Sequence, residues 1–243
     1  MLMSVIEGAL SAPAYPELAG KRVLLTGVRR RRGVDIARAF AEHKARMVLQ
    51  FAEASPAMQA VAEIVAPAAL EAKLYGPLGT GEADAVEFAR TAVQAFGGLD
   101  VVINMVPLET YNLDRSATAA DVERIIARSL ALPFHLSRIA ANRMSVTWNE
   151  GLILNVATLA APASGTAVAF AAVAKATLTA LTKAQAEEWA PRGIRFNAIA
   201  PQALPAIAGS GLRGEADVAS LALYLASKQG RSLSGCVFEA SAS

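Results

Sequence analysis

Arg22-Val-Leu-Leu-Thr-Gly-Val-Arg-Arg-Arg-Arg-Gly33 is the stretch whose reading decides the fold. Its first part, Arg22 to Thr26, is an apolar run too short for a helix and reads as a buried strand. Thr26-Gly27 follows on that strand, and Gly33 opens a segment, Gly33 to His43, with apolar residues at three- and four-residue spacing. Strand, glycine turn and helix in this order give the context in which a helix N-terminus can cradle a pyrophosphate. The rest of the chain repeats the unit. Six further strands are expected at Arg46 to Phe51, Glu71 to Tyr75, Asp100 to Asn104, Leu152 to Val156, Arg195 to Ile199 and Cys236 to Glu239. Helical spacing follows at Pro56 to Ala66, Glu82 to Phe96, Ala119 to Met144, Thr166 to Ala190 and Glu215 to Ser227. Short strands alternating with longer Ala-rich helices predict an α/β fold around a parallel sheet.

The length, 243 residues, suits one α/β domain, with residues 1–20 as a Pro-containing lead-in and 21–243 as the domain. No internal repeat or linker marks a second one. Hydrophobic residues make up 54% and charged residues 18%, and mean hydropathy is +0.37. That apolar balance predicts a homo- or hetero-oligomer, in which a partner covers part of the surface. A net charge of +2 creates no broad field for nucleic acid or an anionic membrane. Cys236 is the only cysteine, so no intrachain disulfide is expected, and with two histidines it cannot build an ordinary zinc site. Met1 to Leu10 has no basic region typical of a secretory signal, and no uninterrupted apolar run reaches membrane-spanning length. A cytoplasmic location is the expectation.

Three stretches, Phe96-Gly-Gly-Leu-Asp-Val-Val-Ile-Asn104, Gly151-Leu-Ile-Leu-Asn155 and Ala190-Pro-Arg-Gly-Ile-Arg-Phe-Asn-Ala-Ile-Ala-Pro201, join the glycine turn in one order and spacing. Together with Ala216 to Ser227 and Ser234-Gly-Cys-Val-Phe238 they resemble motifs of the short-chain dehydrogenase/reductase family. The resemblance runs from about Lys21 to Glu239. It implies a Rossmann-type doubly wound seven-stranded parallel sheet of order 3-2-1-4-5-6-7, with helices on both faces in three α/β/α layers. It also implies an NAD(P) site at the strand C-termini, and oligomers packed through the helices at 119–144 and 166–190.

The family resemblance assigns site positions residue by residue. Its Lys on the helix after strand five matches Lys175, which would hold the nicotinamide ribose, while its catalytic Tyr position is Ala171. The family Ser maps to Thr158 and the family Asn to Ser129. Loss of a positioned general acid or base lowers a rate by about 10² to 10⁴. On the nucleotide side Gly27, Gly33 and Asn104 match cofactor-binding positions. Arg31 stands where the middle glycine of the turn belongs, and Arg30 matches the basic residue of members that prefer NADP. Arg29 to Arg32 can splay into solvent or hold an anion, and both readings stay open. The ribose-binding acid of NAD-dependent members is replaced within Gln50-Phe-Ala52, and the adenine-contacting Asp by Leu78. The family's substrate lid is shortened to Ala203–Gly214. NADP(H) is therefore the expected cofactor if one binds. Three functions remain: a non-catalytic structural or regulatory subunit, an NADP(H)-dependent carbonyl reductase or alcohol dehydrogenase with non-standard residues, and a nucleotide or anion sensor.

Overall fold

A parallel sheet has to be covered on both faces, because its crossover connections lay helices across them. The computed structural model describes residues 15–30, 32–79, 81–108, 118, 120–121, 123, 130–147, 150–159, 165–201, 212 and 214–240. Its strands are β1 (Arg22–Val28), β2 (Arg46–Phe51), β3 (Glu71–Tyr75), β4 (Val101–Leu108), β5 (Gly151–Leu159), β6 (Ile194–Pro201) and β7 (Val237–Ala240). They form one sheet of order β3-β2-β1-β4-β5-β6-β7 in which every neighbouring pair is parallel. This is the order that the family resemblance implies. The crossovers carry α1 (Val34–Glu42), α2 (Pro56–Ala68), α3 (Glu82–Ala95), α4 (Leu132–Val146), α5 (Gly165–Trp189) and α6 (Glu215–Ala226).

Successive strand residues point to opposite faces, and here both sets are apolar. Val23, Leu25, Met47, Leu49, Ile103 and Leu154 face one layer, formed by α1, α2 and α6. Their neighbours Leu24, Val48, Val102 and Ile153 face the other, where α3, α4 and the end of α5 pack. The helices answer with matching stripes: α1 buries Ile36, Ala37, Phe40 and Ala41, one turn apart.

The motif Phe96 to Asp100 does its work at the N-terminal edge of the sheet. Asp100 accepts from the Arg22 backbone N–H at 2.8 Å and from its guanidinium at 2.9 and 2.8 Å, tying the start of β1 to the start of β4. Gly98 leaves the space that this guanidinium fills, and its φ of +148° suits glycine.

Two strands run further than their apolar runs suggest. β4 and β5 stay in register as far as Leu108 and Leu159, although β4 leaves β1 after Asn104. Past Asn104 the β1-facing edge of β4 is therefore unpaired by β1, the kind of edge at which Pro107 is tolerated in a strand. The helix expected over Ala119 to Met144 is described as α4, Leu132–Val146, preceded by π-helical residues at 130 and 131, with helical residues at 120, 121 and 123; the other positions of that span lie outside the described residues.

Candidate functional site

Ligands of open α/β sheets gather at the strand C-termini where strand order reverses, here between β1 and β4. At that point β1 delivers Gly27 with φ +74°, and a Cβ there would sit 2.6 Å from the Met105 carbonyl oxygen. Only glycine permits this approach of the β1 turn to β4. Beyond it the turn closes on itself: the Arg29 N–H donates to the Arg32 carbonyl at 2.9 Å and the Arg32 N–H to the Arg29 carbonyl at 3.0 Å. Two amides of the turn are thus used within the chain. Arg30 is exposed at the tip, Arg31 lies outside the described residues, and Gly33 is the N-cap of α1.

Three side chains converge on the turn. Gln50, 4% exposed at the end of β2, accepts from the Gly27 N–H at 2.8 Å through Oε1. Its Nε2 donates to the Phe51 and Gly76 carbonyls at 2.5 and 3.1 Å, so the amide bridges β1, β2 and the segment after β3. Met105 is 6% exposed, and its Cγ would be 3.2 Å from a Cβ on Gly33. Glu215, the first residue of α6, accepts from the Gly33 N–H at 3.2 Å, across 182 residues of sequence. Burial, reinforced by Asp35, pushes the Glu215 carboxyl up to about 7, against the pull of the Gly33 and Asp35 backbone N–H groups and of Arg32.

Among the described residues, one cavity of about 60 Å³ opens in this crevice, lined in part by Thr26, Gly27, Gln50, Leu78 and Met105. Sites that enclose small molecules run to roughly 300–1,000 Å³. A wider cavity of about 400 Å³ opens at the opposite edge, around the N-terminal ends of β5 and β6. Several of its charges are already engaged: Arg231 pairs with Glu150, Arg195 donates to the Leu225 and Gly230 carbonyls at 2.8 and 2.7 Å, and Glu17 accepts from the Lys228 N–H at 2.9 Å. Strand order points away from it, and we place the candidate site at the C-terminal edge.

Under the crevice lies a buried polar cluster. The Thr26 hydroxyl donates to Asn104 Oδ1 at 3.0 Å, and Asn104 Nδ2 donates to the Ser137 hydroxyl and to Asn155 Oδ1, each at 3.0 Å. Ser137 in turn donates to Asn155 Oδ1 at 3.3 Å. All four residues are at most 4% exposed, so the cluster links β1, β4, β5 and α4 in a low-dielectric interior. Asn104, expected to face a cofactor, is fully buried with its amide committed to these partners.

The remaining expected residues sit on the neighbouring elements. Thr158 is on β5 opposite Pro107 of β4, and Ala171 and Lys175 are one turn apart on α5. The Lys175 ammonium pairs with the Glu239 carboxylate of β7. Ser129 lies outside the described residues, as does most of the shortened lid segment. Reading the sequence alone missed Met105, Ser137 and Glu215, and took Gln50 only as the absence of an acid. An acid in the first turn of a helix is ordinary, which hides Glu215 among routine helix starts.

A doubly wound sheet with a glycine turn at its switch point defines a dinucleotide-fold protein of the Rossmann class. Residues 21–213 match the family described as short chain dehydrogenase, and the chain belongs to that family. Among curated proteins it is 31% identical to momilactone A synthase of Oryza sativa subsp. japonica, over 90% of this chain and 88% of that one. It is 29% identical to 3beta-hydroxysteroid dehydrogenase 1 of Eggerthella lenta, over 78% and 73% respectively. A short chain dehydrogenase from Burkholderia cenocepacia J2315, solved in complex with NADP, superposes with a TM-score of 0.75 at 23% identity, covering 92% of this chain and 97% of that chain.

Proposed function

We propose that this chain is a short-chain dehydrogenase/reductase homologue that does not transfer hydride and serves as a structural or regulatory subunit, paired with itself or with an active relative. The observation that carries this reading is the crowding of the glycine turn: Gln50 and Glu215 accept from the Gly27 and Gly33 amides and Met105 packs against both glycines, where an active relative would set its dinucleotide. The site chemistry supports it. Ala171 cannot shuttle a proton, and Lys175 is engaged by Glu239. The long helix α5 offers an exposed stripe of small and apolar residues, with Val173, Ala176 and Ala180 on one face, suited to close packing against a second helix.

A reductase reading draws on the relatives, several of which are named as dehydrogenases, and on the Burkholderia structure with NADP. The two readings separate in one experiment. Wild-type protein and Ala171→Tyr are incubated with NADPH or NADH and a panel of ketones and aldehydes. The proposal expects neither to exceed the protein-free blank, because a tyrosine restores the acid without reopening the crevice. Sustained NADPH-dependent reduction by either protein would overturn it in favour of a reductase.

A further inference from the structure

The sheet ends on one side at β3, whose outer edge no described strand covers. Which backbone groups face outward there follows from the pairing. The Arg46 N–H donates to the Lys21 carbonyl at 2.8 Å, so Arg46, Val48 and Gln50 turn their backbone groups to β1, while Met47 and Leu49 turn theirs to β3. Met47 and Leu49 stand opposite Ala72 and Leu74, and in a parallel ladder each bonds the residues on either side of its partner. Glu71, Lys73 and Tyr75 are thus the residues bonded to β2, and the amides and carbonyls of Ala72 and Leu74 face outward.

Proteins commonly guard such an edge with a free lysine, a proline or a covering segment. The lysine of β3 is occupied elsewhere: Lys73 Nζ donates to the Ala95 carbonyl at the end of α3 at 2.6 Å and lies 4.9 Å from the centroid of the Phe96 ring. No proline interrupts Glu71–Tyr75. Among the described residues the exposed large apolar side chains are Ile64, Leu70, Leu74, Val146 and Val173, and the first three fall in the stretch that leads into and along this edge. Outward backbone donors and acceptors flanked by exposed leucines form a surface suited to adding a strand.

We propose that the added strand is β3 of a second copy, paired antiparallel about a twofold axis centred on Ala72. Such an axis, normal to the sheet, keeps each face of one copy beside the same face of the other, and outward residues must oppose outward residues. The open registers are therefore centred on Ala72, Lys73 or Leu74. Centring on Lys73 sets the two Lys73 side chains against each other, and centring on Leu74 leaves Glu71 and Lys73 opposite the uncharged Pro77 and Tyr75. Centring on Ala72 sets Glu71 against Lys73 and Leu70 against Leu74 at both ends of the pairing, while the two Ala72 residues exchange backbone hydrogen bonds. An ammonium has donors to spare, so Lys73 keeps Ala95 and still meets Glu71 of the second copy. The Leu70 N–H stays with the Ala45 carbonyl, so the Leu70 and Leu74 pairs contribute chiefly apolar contact. This surface is separate from the α5 face and does not depend on whether the crevice takes a cofactor, so the inference goes beyond the proposed function.

The test is disulfide trapping of the full chain in a Cys236→Ser background, which removes the native thiol. In the proposed register the two Ala72 Cα atoms lie about 5.5 Å apart, within the span of a disulfide, so Ala72→Cys should form an interchain bridge on mild oxidation. A mixture of Leu70→Cys and Leu74→Cys chains should form the mixed disulfide, and neither chain alone should, because like positions are about 14 Å apart. Adding Glu71→Lys to Ala72→Cys sets lysine against Lys73 and should lower the trapped fraction about fivefold. Absence of the bridge from folded Ala72→Cys, equal trapping by Leu74→Cys alone, or undiminished trapping with Glu71→Lys would overturn the inference. If Ala72→Cys does not fold, the exposed Leu70 and Leu74 positions carry the test, and a mixture that yields no mixed disulfide would overturn it. A dimer seen by light scattering without these bridges would place self-association on another surface and overturn it equally. Hydride transfer by wild type would sink the proposed function while leaving a trapping result standing. Absence of both turnover and trapping would sink this inference alone.

Discussion

At the scale of single residues, Glu215 couples stability to pH in a direction opposite to that of most carboxylates. Burial first, then Asp35, raises its carboxyl from an ordinary value of 4.5 to about 7 in the folded protein. Between those values the folded state binds more protons than the unfolded one, so stability falls as pH rises. The contribution is fully present below about 4.5 and is lost once pH has passed about 7. After allowance for solvent screening its size is about 1–2 kcal/mol. Urea unfolding of wild type and Glu215→Gln at pH 5 and pH 8 checks the sign. The variant, which cannot ionise, should lose less stability between the two pH values, and an equal loss in both would show that another group titrates.

At the scale of elements, the cluster of Thr26, Asn104, Ser137 and Asn155 stitches three strands to α4 beneath the crevice. Asn104→Ala removes the member that touches the other three and leaves buried polar groups without partners, at a cost of about 2–3 kcal/mol. A fall in the urea midpoint with an unchanged m value would report that loss. An unchanged midpoint would mean that the cluster carries no net stability. The central strands of this sheet were legible as apolar runs, because burial on both faces fills successive positions with apolar side chains, whereas the edge strand β3, Glu-Ala-Lys-Leu-Tyr, has no buried residue and carries a weaker signal. The extension of β4 and β5 to Leu108 and Leu159 was not, since it depends on the two strands supporting each other rather than on either segment. The site divides in the same way. Gly27 and Gly33 were visible in the turn, and Lys175 stood at a motif spacing. The roles of Gln50, Met105 and Glu215 arise from directions taken by side chains across contacts as distant as 182 residues, which local spacing does not encode.

At the scale of the whole molecule, the chain keeps what makes the family fold and, on the proposed reading, alters what makes it bind. The seven-stranded order, both apolar layers and the Arg22–Asp100 clamp are all present. Strand pairing and helix packing do not require a ligand, so the sheet and its covering helices can persist while the switch-point crevice closes. Exposed Val173 and its neighbours on α5 leave a face through which such a scaffold can act on a second chain. The account therefore stands or falls on whether the crevice accepts a nicotinamide dinucleotide. The most direct measurement is a titration of the purified wild-type protein with NADPH, reading nicotinamide fluorescence and thermal shift together at low and moderate salt. The account predicts no saturable change in either signal up to about 1 mM, a concentration at which a cofactor of micromolar affinity would raise stability by several kcal/mol. Saturable binding in the micromolar range, seen by both readouts, would contradict it.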